Sequence, residues 1–295
     1  MVIRTASGSV RRRNESSKLG VALSGRGRPE VIEKMAVKAD ELGYDSFLIT
    51  DHFMTPRGSS TIDAWAFIPY LAARTSKIRL GTCVTPLPFR NPAILAKTIA
   101  SCDRLSNGRI ILGAGFGWYG PEFAGFSKWE TPGERVAHSK EAIQLMVRLW
   151  TEDEPVDYHG RFVEARGAVV EPKPVQKPYP LVLWGGHRRA SLLAAGRYGG
   201  GWVPVGPRWY EDDFPSPEDY GKMRAAIESE SSRLHRDTSG FRYTNIIGIS
   251  DVETLRKDVE GYAAEGLNFV TIGIPADELE KGEPETRLEE IVSSL

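Results

Sequence analysis

Along the chain, short apolar runs alternate with longer stretches in which apolar residues recur every three or four positions. The first pattern suits strands buried on both faces and the second amphipathic helices, so their alternation predicts βα units around a parallel sheet. The strand-like runs are LGVALS from Leu19, SFLIT from Ser46, KIRLGTCVT from Lys77, RIILGAG from Arg109, LVLWGG from Leu181, GWVPV from Gly201, TNIIGIS from Thr244 and NFVTIGI from Asn268. Between the first two, PEVIEKMAVKADELG sets Val31, Ile32, Met35, Ala36, Ala39 and Leu42 on one helical face. Pro29 stands at its first position and Gly43 just past its end, the usual start and stop of a helix. DAWAFIPYLAARTS, NPAILAKTIASCDRLSNG, GERVAHSKEAIQLMVRLW, RRASLLAAGRYGG and DVETLRKDVEGYAAEGL repeat the pattern. Eight strands with intervening helices predict an α/β fold, a (β/α)8 TIM barrel, with an open doubly wound sheet as the rival arrangement.

One spacing is too long for a minimal barrel. About thirty residues separate the fourth helix from the fifth strand, and connections of that length are functional or carry structure of their own. VDYHGRFVEARGAVVEPKPVQKPYP alternates around His159 and Gly160 and then turns Pro-rich, which predicts a hairpin insertion over residues 151–180, placed beside the barrel mouth. Residues 18–295 are expected to form the single barrel domain, and the small, polar and basic residues 1–17 a disordered tail or a misassigned start.

Composition narrows the function classes. A chain of 295 residues with 41% hydrophobic and 26% charged residues can bury a large core. The net charge of −1 without a basic stripe gives nucleic acid no electrostatic footprint. No apolar run approaches the ~18 residues of a membrane span, and residues 1–17 lack the apolar centre of a secretory signal. The two cysteines, Cys83 and Cys102, suit a reducing compartment, so a soluble, cytoplasmic protein is expected. The five histidines are scattered with no ligand spacing, and no metal is expected.

In a barrel, the loops after the strands form the active face. Asp51 and His52 follow the second strand, where they are either a polar strand end or an acid and imidazole at the mouth; a free imidazole titrates near neutral pH and can pass a proton either way. GAGFGWYG after the fourth strand carries Gly115-x-Gly117-x-x-Gly120, yet PEFAGFSKWETPG follows without an amphipathic run, which argues against a dinucleotide fingerprint. Its glycines either let a flat ligand approach the backbone, with Trp118 and Tyr119 at the edge, or serve a turn. WGGH, Trp184 to His187, opens a helix through two glycines and suits an anion, with Arg188 and Arg189 either adding charge or standing solvated. Cys83, inside a strand, reads as a buried apolar residue rather than a nucleophile.

Taken together, LITDHF, IRLGTCVTPLPFRNPAILAKTIASCDRLSNGRIILGAGFGW, GERVAHSKEAI, YHGRFV, LVLWGG and AAGRYGGGWVPV resemble the luciferase-like monooxygenase superfamily, and within it the deazaflavin (coenzyme F420)-dependent oxidoreductases. The resemblance implies a flavin or deazaflavin at the barrel mouth, a cis peptide at Cys83–Val84 beneath its ring, Gly115, Phe116 and Gly117 against the ring, and Gly185 with Gly186 at its phosphate. It also implies a homodimer. The Asp51-His52 pair matches the F420 branch, which makes coenzyme F420 the expected cofactor and FMN the alternative, with an FMNH2-dependent monooxygenase or a non-catalytic binding barrel as the competing functions. His52 is expected to move a proton, with Asp51 orienting it or its loop. Trp118 stands where the sugar-phosphate dehydrogenases of this branch carry a glutamate, so a more apolar substrate stacked on Trp118 near Phe53 and Phe116, under the insertion, is expected.

Overall fold

The structure, a computed structural model, describes residues 18–56, 58, 61–209, 213–275, 278 and 284–295. The expected tail over residues 1–17 lies outside the described residues. The strands are β1 (Leu19–Leu23), β2 (Ser46–Ile49), β3 (Arg79–Thr82), β4 (Thr85–Pro86), β5 (Ile110–Gly115), β6 (Val156–His159), β7 (Glu164–Ala168), β8 (Leu181–Gly185), β9 (Gly201–Val203), β10 (Arg242–Gly248) and β11 (Phe269–Ile274). The helices are α1 (Pro29–Leu42), α2 (Ala64–Arg74), α3 (Pro92–Leu105), α4 (Gly120–Phe126), α5 (Pro132–Thr151), α6 (Arg189–Tyr198), α7 (Pro217–Arg233), α8 (Val252–Ala264) and α9 (Pro284–Ser294).

The parallel sheet closes on itself. It runs β3-β2-β1-β11-β10-β9-β8-β5, and β3 pairs back onto β5 through Leu80 with Ile110 and Gly81 with Ile111. Every predicted strand is present, and closure decides for the barrel over the doubly wound sheet. The third predicted strand is broken into β3 and β4, and both pieces lie along β5.

Two concentric cores follow from the alternation of side chains along each strand. Ala22, Leu48, Cys83, Ile111, Leu183, Val203 and Ile246 fill the lumen, while a larger apolar layer packs between strands and helices. Where β3 meets β5, glycine is a steric requirement. A Cβ on Gly113 would lie 1.9 Å from the Thr82 carbonyl oxygen, and one on Gly81 would lie 2.1 Å from that of Ile111.

Helix starts obey local chemistry. Asp63, Asn91 and Asp251 accept first-turn N–H groups of α2, α3 and α8, and Thr131 with Glu134 forms a capping box on α5. The sequence pattern did not reveal α7, whose buried positions are Tyr220, Ile227, Glu230 and Ser231, too few apolar residues to register as a stripe. Nor did it reveal α4, where a seven-residue helix begins at Gly120 in the stretch read as lacking one. Pro121 suits its first turn, and burial of Glu122 and Phe123 holds it in place of a long apolar face.

The insertion contains the expected hairpin, β6 antiparallel to β7, and its tip is seated on α5. Glu141 accepts hydrogen bonds from the backbone N–H groups of Arg161, Phe162 and Val163, so the hairpin tip is bound to α5. Arg161 pairs with Glu134, Phe162 stacks on His138, Tyr158 donates to Gln144, and Arg148 donates to the Asp157 carbonyl. These partners recur every three to four residues along α5, so the hairpin lies lengthwise on the outside of that helix. The return segment runs along α3, held by Lys97 and Arg104 on the carbonyls of Glu171 and Lys173, and Gln176 reaches Asp103 and the Ile110 carbonyl at the entry of β5. No described helix is long and apolar enough to cross a membrane.

Candidate active site

The end of β2 delivers Asp51 and His52 to the mouth with opposite fates. Asp51 is 3% exposed and turned into the protein. Arg90 grips both of its oxygens, at 3.0 and 2.6 Å, and the Thr85 hydroxyl donates to one of them at 2.8 Å. Burial pushes the Asp51 carboxyl up from its usual range, and the Arg90 guanidinium and Thr85 hydroxyl pull it back. Arg90 also holds Asp63 at 2.9 Å, so one guanidinium ties together the two ends of the loop between β2 and α2. Asp51 thus positions the loop, and its carboxylate is spent on Arg90 and Thr85 rather than offered to a ligand.

His52 is oriented by a residue the sequence reading did not single out. Its Nδ1 lies 2.9 Å from Oε2 of Glu122, which is 1% exposed at the start of α4. The other oxygen of Glu122 accepts the backbone N–H groups of Phe53 at 2.6 Å and Met54 at 3.2 Å. Trp118, 49% exposed, meets the imidazole edge to face with centroids 5.8 Å apart. Of the two roles expected for Asp51, its contacts fit the loop: Asp51 holds the loop through Arg90, and Glu122 holds the His52 ring. The only sequence signal for Glu122 was an acid set between Pro121 and Phe123 in an otherwise apolar, aromatic stretch.

Val84, half-buried at the break between β3 and β4, forms a ledge at the strand ends. The Cys83–Val84 peptide is cis, as the resemblance implied. Val84 lies against three glycines: a Cβ on Gly115 would come within 2.5 Å of its Cγ2, one on Gly185 within 2.8 Å of its Cγ1, and one on Gly113 within 3.2 Å of that atom. Gly117, at φ +76°, yields its side-chain space to the Phe123 ring. Gly115, Gly117 and Gly185 therefore admit protein side chains, and the apolar surface this leaves at the mouth is the isopropyl group of Val84.

Cys83 beside it is buried, and burial pushes its thiol up to about 12; Cys102, on the buried face of α3, is pushed to about 11 chiefly for the same reason. Neither is a thiolate at neutral pH. Native protein at pH 8 should therefore resist iodoacetamide while unfolded protein takes up two labels, which mass spectrometry reads directly.

Opposite β3, residues 204–209 run along β10 through hydrogen bonds from Gly206 N–H to the Ile246 carbonyl and from Gly248 N–H to the Pro207 carbonyl. They carry Trp209 over Gly273 and Ile246, where it joins the lumen cluster as a second wall that sequence reasoning missed. At the end of β8, Gly186 adopts φ +92° and its carbonyl accepts the Trp202 indole N–H at 2.7 Å. The helix α6 that follows has no side-chain cap, so its leading N–H groups suit an anion, which is what a cofactor phosphate requires. Arg188 pairs with Asp213 at 2.9 Å, and His187 Nε2 lies 3.4 Å from the same carboxylate.

Phe53 packs on Phe89 and Phe126, and Phe116 packs on Trp184 against the outer layer. His52 with Glu122, Trp118, Val84 and the Gly185-Gly186 turn share the mouth; Asp51, Cys83 and Phe116 serve its walls. No group of His, Cys, Asp or Glu among the described residues is arranged to hold a metal ion.

The model of the luciferase-like monooxygenase family matches residues 15–245. A protein of Segniliparus rotundus named F420-dependent glucose-6-phosphate dehydrogenase is 35% identical over 217 residues, covering 72% of this chain and 62% of that protein. One of the same name from Amycolatopsis mediterranei is 36% identical over 179 residues, 59% of this chain and 53% of that protein. The chain thus spans less than two thirds of the length of these curated relatives. Among solved structures, an F420-dependent secondary alcohol dehydrogenase in complex with an F420-acetone adduct superposes with a TM-score of 0.78 at 20% identity, covering 94% of this chain and 99% of that one. The monooxygenase RslO1 from Streptomyces bottropensis gives a TM-score of 0.74 at 22% identity, covering 95% and 98%. At these identities the structures establish a shared fold.

Proposed function

Because the chain belongs to the luciferase-like monooxygenase family, we propose that it is a coenzyme F420-dependent oxidoreductase acting on a small alcohol or its carbonyl counterpart. The observation that carries this reading is His52, held by a buried carboxylate at the strand ends beside the apolar Val84 ledge. When bound, the deazaflavin supplies a two-electron hydride carrier with little reactivity toward oxygen.

The residues of this chain then have separable tasks. Val84 offers an apolar face to a flat ring, with the Trp118 indole at its side. The Gly185-Gly186 turn and the uncapped start of α6 present backbone N–H groups to a phosphate. His52, tied to Glu122 through Nδ1, has Nε2 to exchange a proton with a substrate hydroxyl or carbonyl oxygen. Trp209 and Trp118 flank the mouth as apolar walls.

Two features favour a neutral alcohol over a sugar phosphate. Trp118 takes the place of the glutamate expected in sugar-phosphate dehydrogenases. In addition, three arginines near the mouth already have carboxylate partners: Arg90 has Asp51 and Asp63, Arg188 has Asp213, and Arg208 has Asp258. A phosphate would have to compete with those carboxylates for each of them.

The test is turnover followed at the 420 nm absorbance of the cofactor, against a panel of secondary alcohols, aldehydes and ketones with glucose 6-phosphate included. The expected result is bleaching with an alcohol, without oxygen uptake, and little or none with glucose 6-phosphate. Oxygen consumption with reduced FMN and no reaction with F420 would replace this reading with a monooxygenase.

A further inference from the structure

Among the described residues the Glu122 side chain makes three hydrogen bonds, and together they constrain protons as well as positions. Its Oε1 accepts two backbone N–H groups, from Phe53 and Met54, so that oxygen is committed to the loop. Among the described residues its Oε2 bonds the imidazole alone, 2.9 Å from Nδ1. A carboxylate offers acceptors alone, so the hydrogen between these atoms belongs to Nδ1. In the neutral ring, Nε2 then carries the lone pair.

We infer that Glu122 is a positioning residue that fixes His52 as the Nδ1–H tautomer and so makes Nε2 the proton acceptor toward substrate. Its effect on turnover rests on the function proposed above; the tautomer itself does not. The same side chain does two jobs that can be separated. Through Oε1 it clamps the backbone just after His52, and through Oε2 it sets which nitrogen is free. With His52 facing Trp118 edge to face and Asp51 consumed by Arg90, no other carboxylate contacts the ring among the described residues.

Glu122→Gln separates the two jobs. The amide is nearly isosteric, and its oxygen can keep the Phe53 and Met54 N–H groups. Its NH2 then faces Nδ1 and donates, which forces the ring hydrogen onto Nε2. The nitrogen that accepted a proton becomes a donor, so oxidation of an alcohol loses its base while the loop stays clamped.

The experiment is 15N NMR of histidine-labelled full-length protein without cofactor, above the pH at which the histidines are charged, with the His52 resonances assigned by their loss in His52→Ala. In the unaltered protein, the expected spectrum shows Nδ1 as the protonated, pyrrole-type nitrogen and Nε2 as the pyridine-type one. In Glu122→Gln, the two should exchange character. In steady-state alcohol oxidation with F420, the variant should lose about 10- to 100-fold in kcat, with KM within about twofold. An Nε2–H tautomer in the unaltered protein would overturn the inference, as would a Glu122→Gln protein that folds and keeps the Nδ1–H tautomer or full kcat. Because the first spectrum needs neither variant folding nor F420, failure of the proposed function and failure of this inference give different results: absent F420 turnover with the expected tautomer faults only the former.

Discussion

His52→Ala should lower kcat by about two to four orders of magnitude for whichever alcohol or carbonyl compound supports turnover, the range set by loss of a positioned acid or base. Affinity for the cofactor should change little, because the surfaces assigned to it are Val84 and the backbone after β8. The reasoning is local. His52 is the side chain at the mouth that combines a titratable ring with a buried carboxylate on its far side, whereas Asp51 and Cys83 are sealed into the walls. Removing the ring leaves Glu122 Oε2 without its partner at a cost of about 1–3 kcal/mol, while the clamp on Phe53 and Met54 persists. Steady-state kinetics beside a thermal melt separates the two effects. A variant that folds and keeps at least a tenth of the activity would remove His52 from the chemistry.

Gly113→Ala should be the most damaging single methyl in the barrel. The new Cβ would lie 1.9 Å from the Thr82 carbonyl oxygen, an atom of the backbone that no rotamer change can move aside. Relief requires β3 and β5 to separate. That in turn strains the Leu80–Ile110 and Gly81–Ile111 pairings that close the sheet, and the Thr82 hydroxyl's hydrogen bond to the Gly113 carbonyl. Overpacking of this kind costs on the order of 3 kcal/mol or more, which for a domain of this size lowers Tm by roughly 6 to 12 °C. Gly125→Ala is the matched control: it adds the same methyl on α4, where a Cβ meets nothing within 4 Å, and should leave Tm unchanged or slightly raised. Equal melting of the two variants would contradict the close approach of β3 and β5.

The fold was legible because each barrel strand is a short apolar run and most helices carry a clear stripe, and both are properties of neighbours in sequence. Closure was not legible in the same way, since the pairing of β1 with β11 joins residues some 250 positions apart, as in Leu19 with Val270. Periodicity says that strands exist; it does not say that the first meets the last. The site divided along the same line. Asp51 and His52 announced themselves by adjacency at a strand end, yet what each does depends on Arg90 and Glu122, which are 39 and 70 residues away. Gly115 and Gly185, which end β5 and β8, were noticed for the backbone they expose, but their structural reason is Val84, whose place beside them depends on the break between β3 and β4. The hairpin's existence could be read from alternation around His159 and Gly160, while its seat on α5 depends on Glu141, whose three backbone partners lie 20 to 22 residues further on.

The central claim is that this mouth accepts a deazaflavin, and equilibrium titration of the purified protein with F420 and with FMN, each oxidised and reduced, tests it most directly. Cofactor and tryptophan fluorescence should show saturable binding of F420, weakened in Gly115→Ala because the added methyl would displace the Val84 ledge, and at most weak binding of FMN. Tight binding of reduced FMN with no response to F420 would contradict the account.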